Sequence, residues 1–163
     1  MKNLTATYKG VITGILMVIL SIIFFYILNL PPNGRNQYII YVVFIAGLLW
    51  TLITFKLGSP STLTIKNYFS EGFKTFIVVA LFMAVFTFIF YKLNPQIMEN
   101  GIVENNALLL KDGNKTPAEI KENADKLRNI FMPMMLAITT IKYLLLGTLI
   151  SFIAGGFLSQ QKR

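Results

Sequence analysis

Four apolar runs constrain this chain more than any other feature: Val11–Leu30, Tyr38–Phe55, Thr75–Tyr91 and a longer one from Phe131 to Leu158. A helix needs roughly 17–25 apolar residues to cross a hydrocarbon layer about 30 Å thick. The runs predict an all-α membrane protein with four transmembrane helices, at about 11–30, 38–55, 75–91 and 138–158. An extramembrane helical hairpin, about 94–137, is expected between spans three and four. At 163 residues, 55 % hydrophobic and mean hydropathy +0.62, residues 1–163 read as a single membrane domain with no room for a second, soluble one.

The chain has no cysteine and no histidine. That excludes disulfides, thiolate chemistry, imidazole ligation of zinc or haem, and histidine acid–base catalysis. The formal charge of +8 is unevenly spread. Lys2, Lys9, Lys56, Lys66, Lys74, Lys162 and Arg163, against Glu71 alone, fall on one side of the predicted spans. Arg35 and a third connection that balances six bases with six acids fall on the other. Such a pattern reads as membrane topology and gives no basic face for nucleic acid. Bare counts of Lys and Arg tie between the two sides, but Lys2 and Lys9 flank the first span against a lone Arg35, and the first helix usually dominates. Both termini are expected in the cytoplasm of a bacterial inner membrane, with the hairpin periplasmic. A cleavable signal peptide is the competing reading of the first run, which is too long for it and lacks a small-x-small cleavage site.

Local signals divide the runs. Pro31-Pro32-Asn33-Gly34 is a stop and a turn. Tyr38, Tyr41 and Trp50, with Arg35 and Lys56 at the flanks, suit an interfacially anchored second span. The polar stretch Gly58–Lys74, with its interleaved apolar residues, suits an in-plane segment, and Ser70 reads as the N-cap of the third span. Asn94-Pro95 opens a weak helix interrupted by Gly101, and Lys111-Asp112-Gly113-Asn114 is a turn. Thr116-Pro117-Ala118-Glu119 is a capping box with proline at the first helical position. From there Ile120, Ala124, Leu127, Phe131, Met134 and Ile138 form an apolar stripe that runs into span four through Pro133, where a kink is expected.

Two kinds of candidate site emerge. Gly10 and Gly14 in span one, and Gly147, Ser151 and Gly155 at successive i,i+4 positions in span four, are candidate helix-packing or interface residues. Small residues let two helix backbones approach closely in lipid. They serve either contacts within the chain or an oligomer seam. Lys142 is the one charge stranded in an apolar run, a candidate intramembrane or interfacial charge. If buried it is a functional residue by default. If residues 131–141 stand above the membrane, it marks the outer surface and snorkels there. The acids Glu99, Glu104 and Asp112 match no metal-binding spacing.

The short basic start Met1-Lys2-Asn3, the segment Phe69-Ser70-Glu71-Gly72-Phe73-Lys74, the Leu93-Asn94-Pro95 end of span three and the closing Gln160-Gln161-Lys162-Arg163 carry a resemblance over essentially the whole chain. The sequence is similar to domain-of-unknown-function family 4199, four-span inner-membrane proteins common in Bacteroidetes. The resemblance implies four spans and an envelope role, and brings no catalytic motif. Members often carry an acidic residue near the position of Lys142, so no role passes to that lysine. Together these readings point to a non-enzymatic accessory or scaffold subunit of an envelope assembly, with no cofactor. Its expected partners are the lipid bilayer and other membrane-protein subunits or itself. The alternative is a small dimeric transporter or flippase for a lipid-linked substrate, without a buried carboxylate for proton coupling, because all seven acids read as lying outside the spans.

Overall fold

The computed structural model describes residues 4–32, 34–59, 63–113 and 115–160. Lys2, Asn33, Asn114, Lys162 and Arg163, which enter the charge and turn readings, lie outside the described residues. Five α-helices account for the described chain: α1 (Ala6–Ile22), α2 (Gln37–Gly58), α3 (Ile65–Leu93), α4 (Pro95–Asp112) and α5 (Pro117–Gln160). Four helical stretches, Ala6–Ile27, α2, α3 and α5, are long and apolar enough to cross a membrane. Hydrocarbon offers backbone N–H and C=O groups no partner, and a helix satisfies them all within one segment. This is an all-α, multi-pass membrane protein.

Helix α1 starts where the Thr5 hydroxyl accepts the Tyr8 N–H at 3.3 Å. It ends in a π-helical turn, Ile23–Ile27, with the Leu28 N–H donating to the Ile23 carbonyl at 3.0 Å. Asn29 then takes φ 50°, a left-handed conformation that asparagine tolerates, and the two prolines prevent resumption.

Helix α3 departs from expectation. It begins at Ile65, so Ser70 is inside it and residues 65–74 form its first turns. The start is set by Thr64, whose backbone N–H donates to Asn67 Oδ1 at 3.0 Å while its carbonyl accepts from the Asn67 and Tyr68 N–H groups. Asparagine here does what glutamate does in a capping box. A further consequence is that Glu71 belongs to a span helix rather than to a loop.

The chain forms two compact units. The first comprises Met1–Met83 and Thr140–Arg163, the second Ala84–Thr139. In the second unit the end of α3 lies against the middle of α5. Tyr91 meets Phe131 edge-on at 5.0 Å, and the Thr87 hydroxyl donates to that of Thr139 at 3.3 Å. Asn94 precedes α4 as its N-cap residue, but its side-chain amide turns back and donates to the Phe90 carbonyl at 2.8 Å. Helix α4 continues through Gly101 and stops at Gly113, which is left-handed at φ 66°. Helix α5 starts on the capping box: the Thr116 N–H donates to Glu119 Oε2 at 2.7 Å and the Glu119 N–H to Thr116 Oγ1 at 3.3 Å. Ile102 on α4 and Ile120 and Ala124 on α5 are buried. Arg128 donates to both Glu99 oxygens, from Nε and Nη2, and Nη1 bridges to Asp125 at 2.9 Å.

The buried stripe of α5 differs from the expected one. Ile138 is exposed, and Thr139 takes its place, followed by Tyr143, Gly147, Ser151 and Gly155. Ile120 and Ala124 are buried and Leu127, Phe131 and Met134 half-buried, as the sequence pattern expects, so the departure begins at Ile138. The helix is continuous through Pro133.

The hairpin carries two carboxylates held below their ordinary range, Glu99 by the Arg128 guanidinium and Glu119 first by the Thr116 backbone N–H. A lowered folded-state value means the unfolded chain binds more protons. The stabilisation is therefore full above the unfolded glutamate value of about 4.3 and is lost as pH falls through the folded values. Amide exchange protection of the hairpin should accordingly hold from neutral pH to about pH 5 and weaken below about pH 4. Arg128→Gln should shrink the acid dependence that Glu99 contributes. Thr116→Ala should loosen the start of α5 by about 1 kcal/mol. Unchanged exchange at residues 118–124 in Thr116→Ala would show that the cap does not anchor the helix.

Candidate functional site

The interior of the first unit is built on close approach. A β-carbon at Gly10 would stand 2.7 Å from the Thr75 carbonyl oxygen, which, being backbone, cannot give way. At Gly14 it would meet Phe82 at 3.0 Å, and at Gly155 the Tyr68 β-carbon at 2.9 Å. At Gly147 it would overlap the base of the Phe76 ring. The candidate small residues of spans one and four therefore all face α3 within the chain. Two glycines that sequence reasoning missed complete the set: Gly47 faces the Thr13 side chain and Gly72 faces Ser151. Each is a lone glycine, Gly47 in an apolar run and Gly72 in the polar stretch before span three, and neither has a second glycine at i,i+4 spacing.

Hydroxyls line these contacts. Thr13, Thr51, Thr75 and Ser151 are buried. Thr75 Oγ1 lies 3.1 Å from the Ala6 carbonyl, 3.2 Å from Thr51 Oγ1 and 3.4 Å from the Glu71 carbonyl, so this one hydroxyl has oxygens of α1, α2 and α3 within hydrogen-bond distance. Thr51 and Thr13 each bond back to the carbonyl four residues earlier, at Gly47 and Lys9. Ser151 Oγ is buried with no hydrogen-bond partner among the described residues.

The deepest charge is Lys9, which the sequence reading placed in the flank of span one. It is 6 % exposed and is the one buried charged side chain among the described residues. Its ammonium donates to the Thr54 hydroxyl and lies 5.6 Å from the Trp50 ring centroid. Thr54 gives its own proton to the Trp50 carbonyl at 2.7 Å, leaving its lone pairs for the ammonium. Glu71 acts on Lys9 electrostatically, while its carboxylate is bonded to Lys74 at 2.6 Å. The available signal was Thr5: an N-cap there puts Lys9 a full turn inside the helix.

Lys142 is half-buried. Its ammonium lies 5.3 Å from the Tyr41 ring centroid and 5.5 Å from that of Tyr143. Tyr143 is buried and packs edge-on against Phe44 at 5.3 Å, while Tyr41 donates its hydroxyl proton to Gln37 Oε1 at 3.2 Å. Tyr41 is one turn into α2, about 6 Å from its first residue. The Tyr91–Phe131 and Thr87–Thr139 contacts set residues 131–139 beside the last turns of span three. Lys142 follows one turn later on α5. The acids Glu99, Glu104 and Asp112 are not part of this region, and Glu99 is engaged by Arg128.

Residues 8–160 match the family described as "Protein of unknown function (DUF4199)". The chain belongs to this family. Comparison with curated proteins and with solved structures gives no match. The match covers nearly the whole chain and assigns no chemistry to Lys9, Lys142 or the hydroxyl seam.

Gly147→Leu and Gly10→Leu should each lower the thermal stability of the detergent-solubilised protein, since overpacking a tight contact costs about 1–3 kcal/mol. Gly156→Leu serves as the control, because nothing lies near that position. Equal melting of all three variants would show that the seams do not hold the helices together. For Lys142, a Lys142→Cys variant of this cysteine-free chain should react with a membrane-impermeant maleimide more slowly than Lys111→Cys on the hairpin. Equal rates would return Lys142 to the membrane surface.

Proposed function

We propose that the protein is a non-enzymatic accessory or scaffold subunit of a bacterial inner-membrane assembly, both termini cytoplasmic and the hairpin periplasmic. The observation that carries this reading is the hairpin itself. Its two arms are fastened by Arg128 across to Glu99, α5 is capped by Thr116 and Glu119, and α4 still leaves Val103, Leu108 and Leu110 more than half exposed. These apolar side chains stand outside the span windows, on a segment with its own fixed shape. Exposed apolar residues on an ordered extramembrane element are what a partner surface offers, with charged Glu104 and Lys111 as its rim. The small-residue seams, by contrast, are occupied within the chain, so association with another subunit falls to the hairpin and to the outward faces of the spans.

A second reading, a small dimeric transporter or flippase for a lipid-linked substrate, is favoured by one observation. Lys142 carries a positive charge on a span helix, partly exposed among the apolar side chains Ile141 and Leu145, which a headgroup on its way past would meet.

Purification in mild detergent separates the two. A stoichiometric partner that is lost when Val103 and Leu108 are changed together to Ser supports the subunit reading. A homodimer with no partner, unaffected by those changes, supports the transporter. Reporter fusions should read cytoplasm at the C-terminus and periplasm beside Gly113, and a periplasmic C-terminus would overturn the orientation.

A further inference from the structure

The two lysines of the first unit grip α2 from different helices, and they differ in one respect. Lys9 is closed: its ammonium has a hydroxyl acceptor in Thr54, a ring in Trp50 and almost no exposure. Lys142 is open. It has two aromatic faces but neither a hydrogen-bond acceptor nor a carboxylate within ion-pair distance among the described residues, and its side chain is partly exposed. An ammonium is costly in hydrocarbon unless it finds partners. Cation–π contacts offset part of that cost and leave its N–H groups without an acceptor.

What approaches Lys142 is constrained by its surroundings. Ile141 and Leu145 on α5, and Ile39 and Val42 on α2, are each half or more exposed. These residues sit on helices long and apolar enough to span a membrane, so the surface around Lys142 is apolar. A free hydrophilic anion has no path along such a surface. A molecule that carries an anionic oxygen on an apolar chain meets both conditions at once.

We propose that Lys142, Tyr41 and Tyr143 form a binding site for the phosphate of an anionic phospholipid. In it the Lys142 ammonium donates to phosphate oxygens and the acyl chains lie along Ile39, Val42, Ile141 and Leu145. Tyr143 is the fixed wall, since its ring is buried against Phe44. Tyr41 is the movable one, half-exposed at the rim, with its hydroxyl tied to Gln37. The site draws on a single unit of the chain and does not depend on the hairpin acting as a docking surface.

The test is lipid retention by the full chain, measured by native mass spectrometry in detergent and by thermal stabilisation. Phosphatidylglycerol is the probe, phosphatidylcholine the zwitterionic control and inorganic phosphate the free-anion control. The expected result is one tightly retained phosphatidylglycerol and a melting temperature raised by it. Lys142→Met should weaken both by roughly tenfold or more in affinity, the equivalent of one lost charge-assisted hydrogen bond. Lys142→Arg should retain the lipid, and Lys56→Met, at the other end of α2, should change nothing. Lys142→Gln repeats the test should the methionine variant misfold, judged by its circular dichroism and melting transition without lipid. Equal retention by wild type and both neutral variants would overturn the proposal, as would displacement of the lipid by inorganic phosphate. Indifference to the choice between phosphatidylglycerol and phosphatidylcholine would overturn it too, reducing Lys142 to a lysine that merely reaches for the surface.

Discussion

Two helices in a bilayer gain little by hiding apolar surface from each other, because lipid tails are as apolar as leucine. Association must come from dispersion at close range and from hydrogen bonds that hydrocarbon cannot supply. The first unit meets this requirement around α3. Gly10 and Gly14 bring α1 onto it, and Gly147 and Gly155 bring α5 onto it. Where the backbones close up, a hydroxyl is waiting: Thr75 between α1 and α2, Ser151 beside Gly72. The hydroxyls depend on the glycines. Thr75 is within 3.1 Å of the Ala6 carbonyl only because Gly10, one turn further along α1, has no side chain to hold the helices apart.

The same constraint explains why α5 has the register it has. A stripe recurring every four residues advances about 40° per step relative to a 3.6-residue turn, and so winds slowly round the helix. From Thr139 to Gly155 that winding keeps one row of residues against its neighbours. Ile138 and Ile141 are left to face lipid, where a large aliphatic side chain costs nothing. Binary patterning misleads here, because inside and outside are both apolar. Size, not hydrophobicity, separates the two faces of a membrane helix, and the row Gly147, Ser151, Gly155 carries the information that Ile138 does not.

That distinction also marks how far the sequence was legible. Span number and helical class followed from run length, since few other structures satisfy a backbone in hydrocarbon. The capping box at Thr116 and Glu119 and the left-handed turn at Gly113 were legible because their chemistry is local. The start of α3 was not. Ser70 is as good a cap as Thr64 by residue type, and only the Asn67 side chain reaching back to the Thr64 N–H decides between them. Lys9 was misread for a different reason. Lysines just before an apolar run usually flank it, and burial of this one depends on Thr54 and Trp50, more than forty residues away. One partner of Lys142, Tyr143, is its neighbour in sequence, but the other, Tyr41, lies on α2 with nothing to tie it to α5 until Phe44 and Tyr143 meet.

Lys9 and Lys142 show what a positive charge can do in a protein of this kind. A closed lysine acts as a fastener. Its ammonium donates to the Thr54 hydroxyl, whose own proton goes to the Trp50 carbonyl, so removing the hydroxyl takes away the acceptor of a buried charge. An open lysine differs, since its contacts are to two rings and no hydrogen-bond acceptor faces it among the described residues. The interior of the first unit is already held by glycine contacts and hydroxyls, and α5 packs through Tyr143, Gly147, Ser151 and Gly155 on the face that turns away from lipid. A positive charge on the partly exposed side of α5, with no carboxylate within ion-pair distance among the described residues, is what the anionic headgroup proposed above would meet, whether the chain serves as a subunit or moves a headgroup past it.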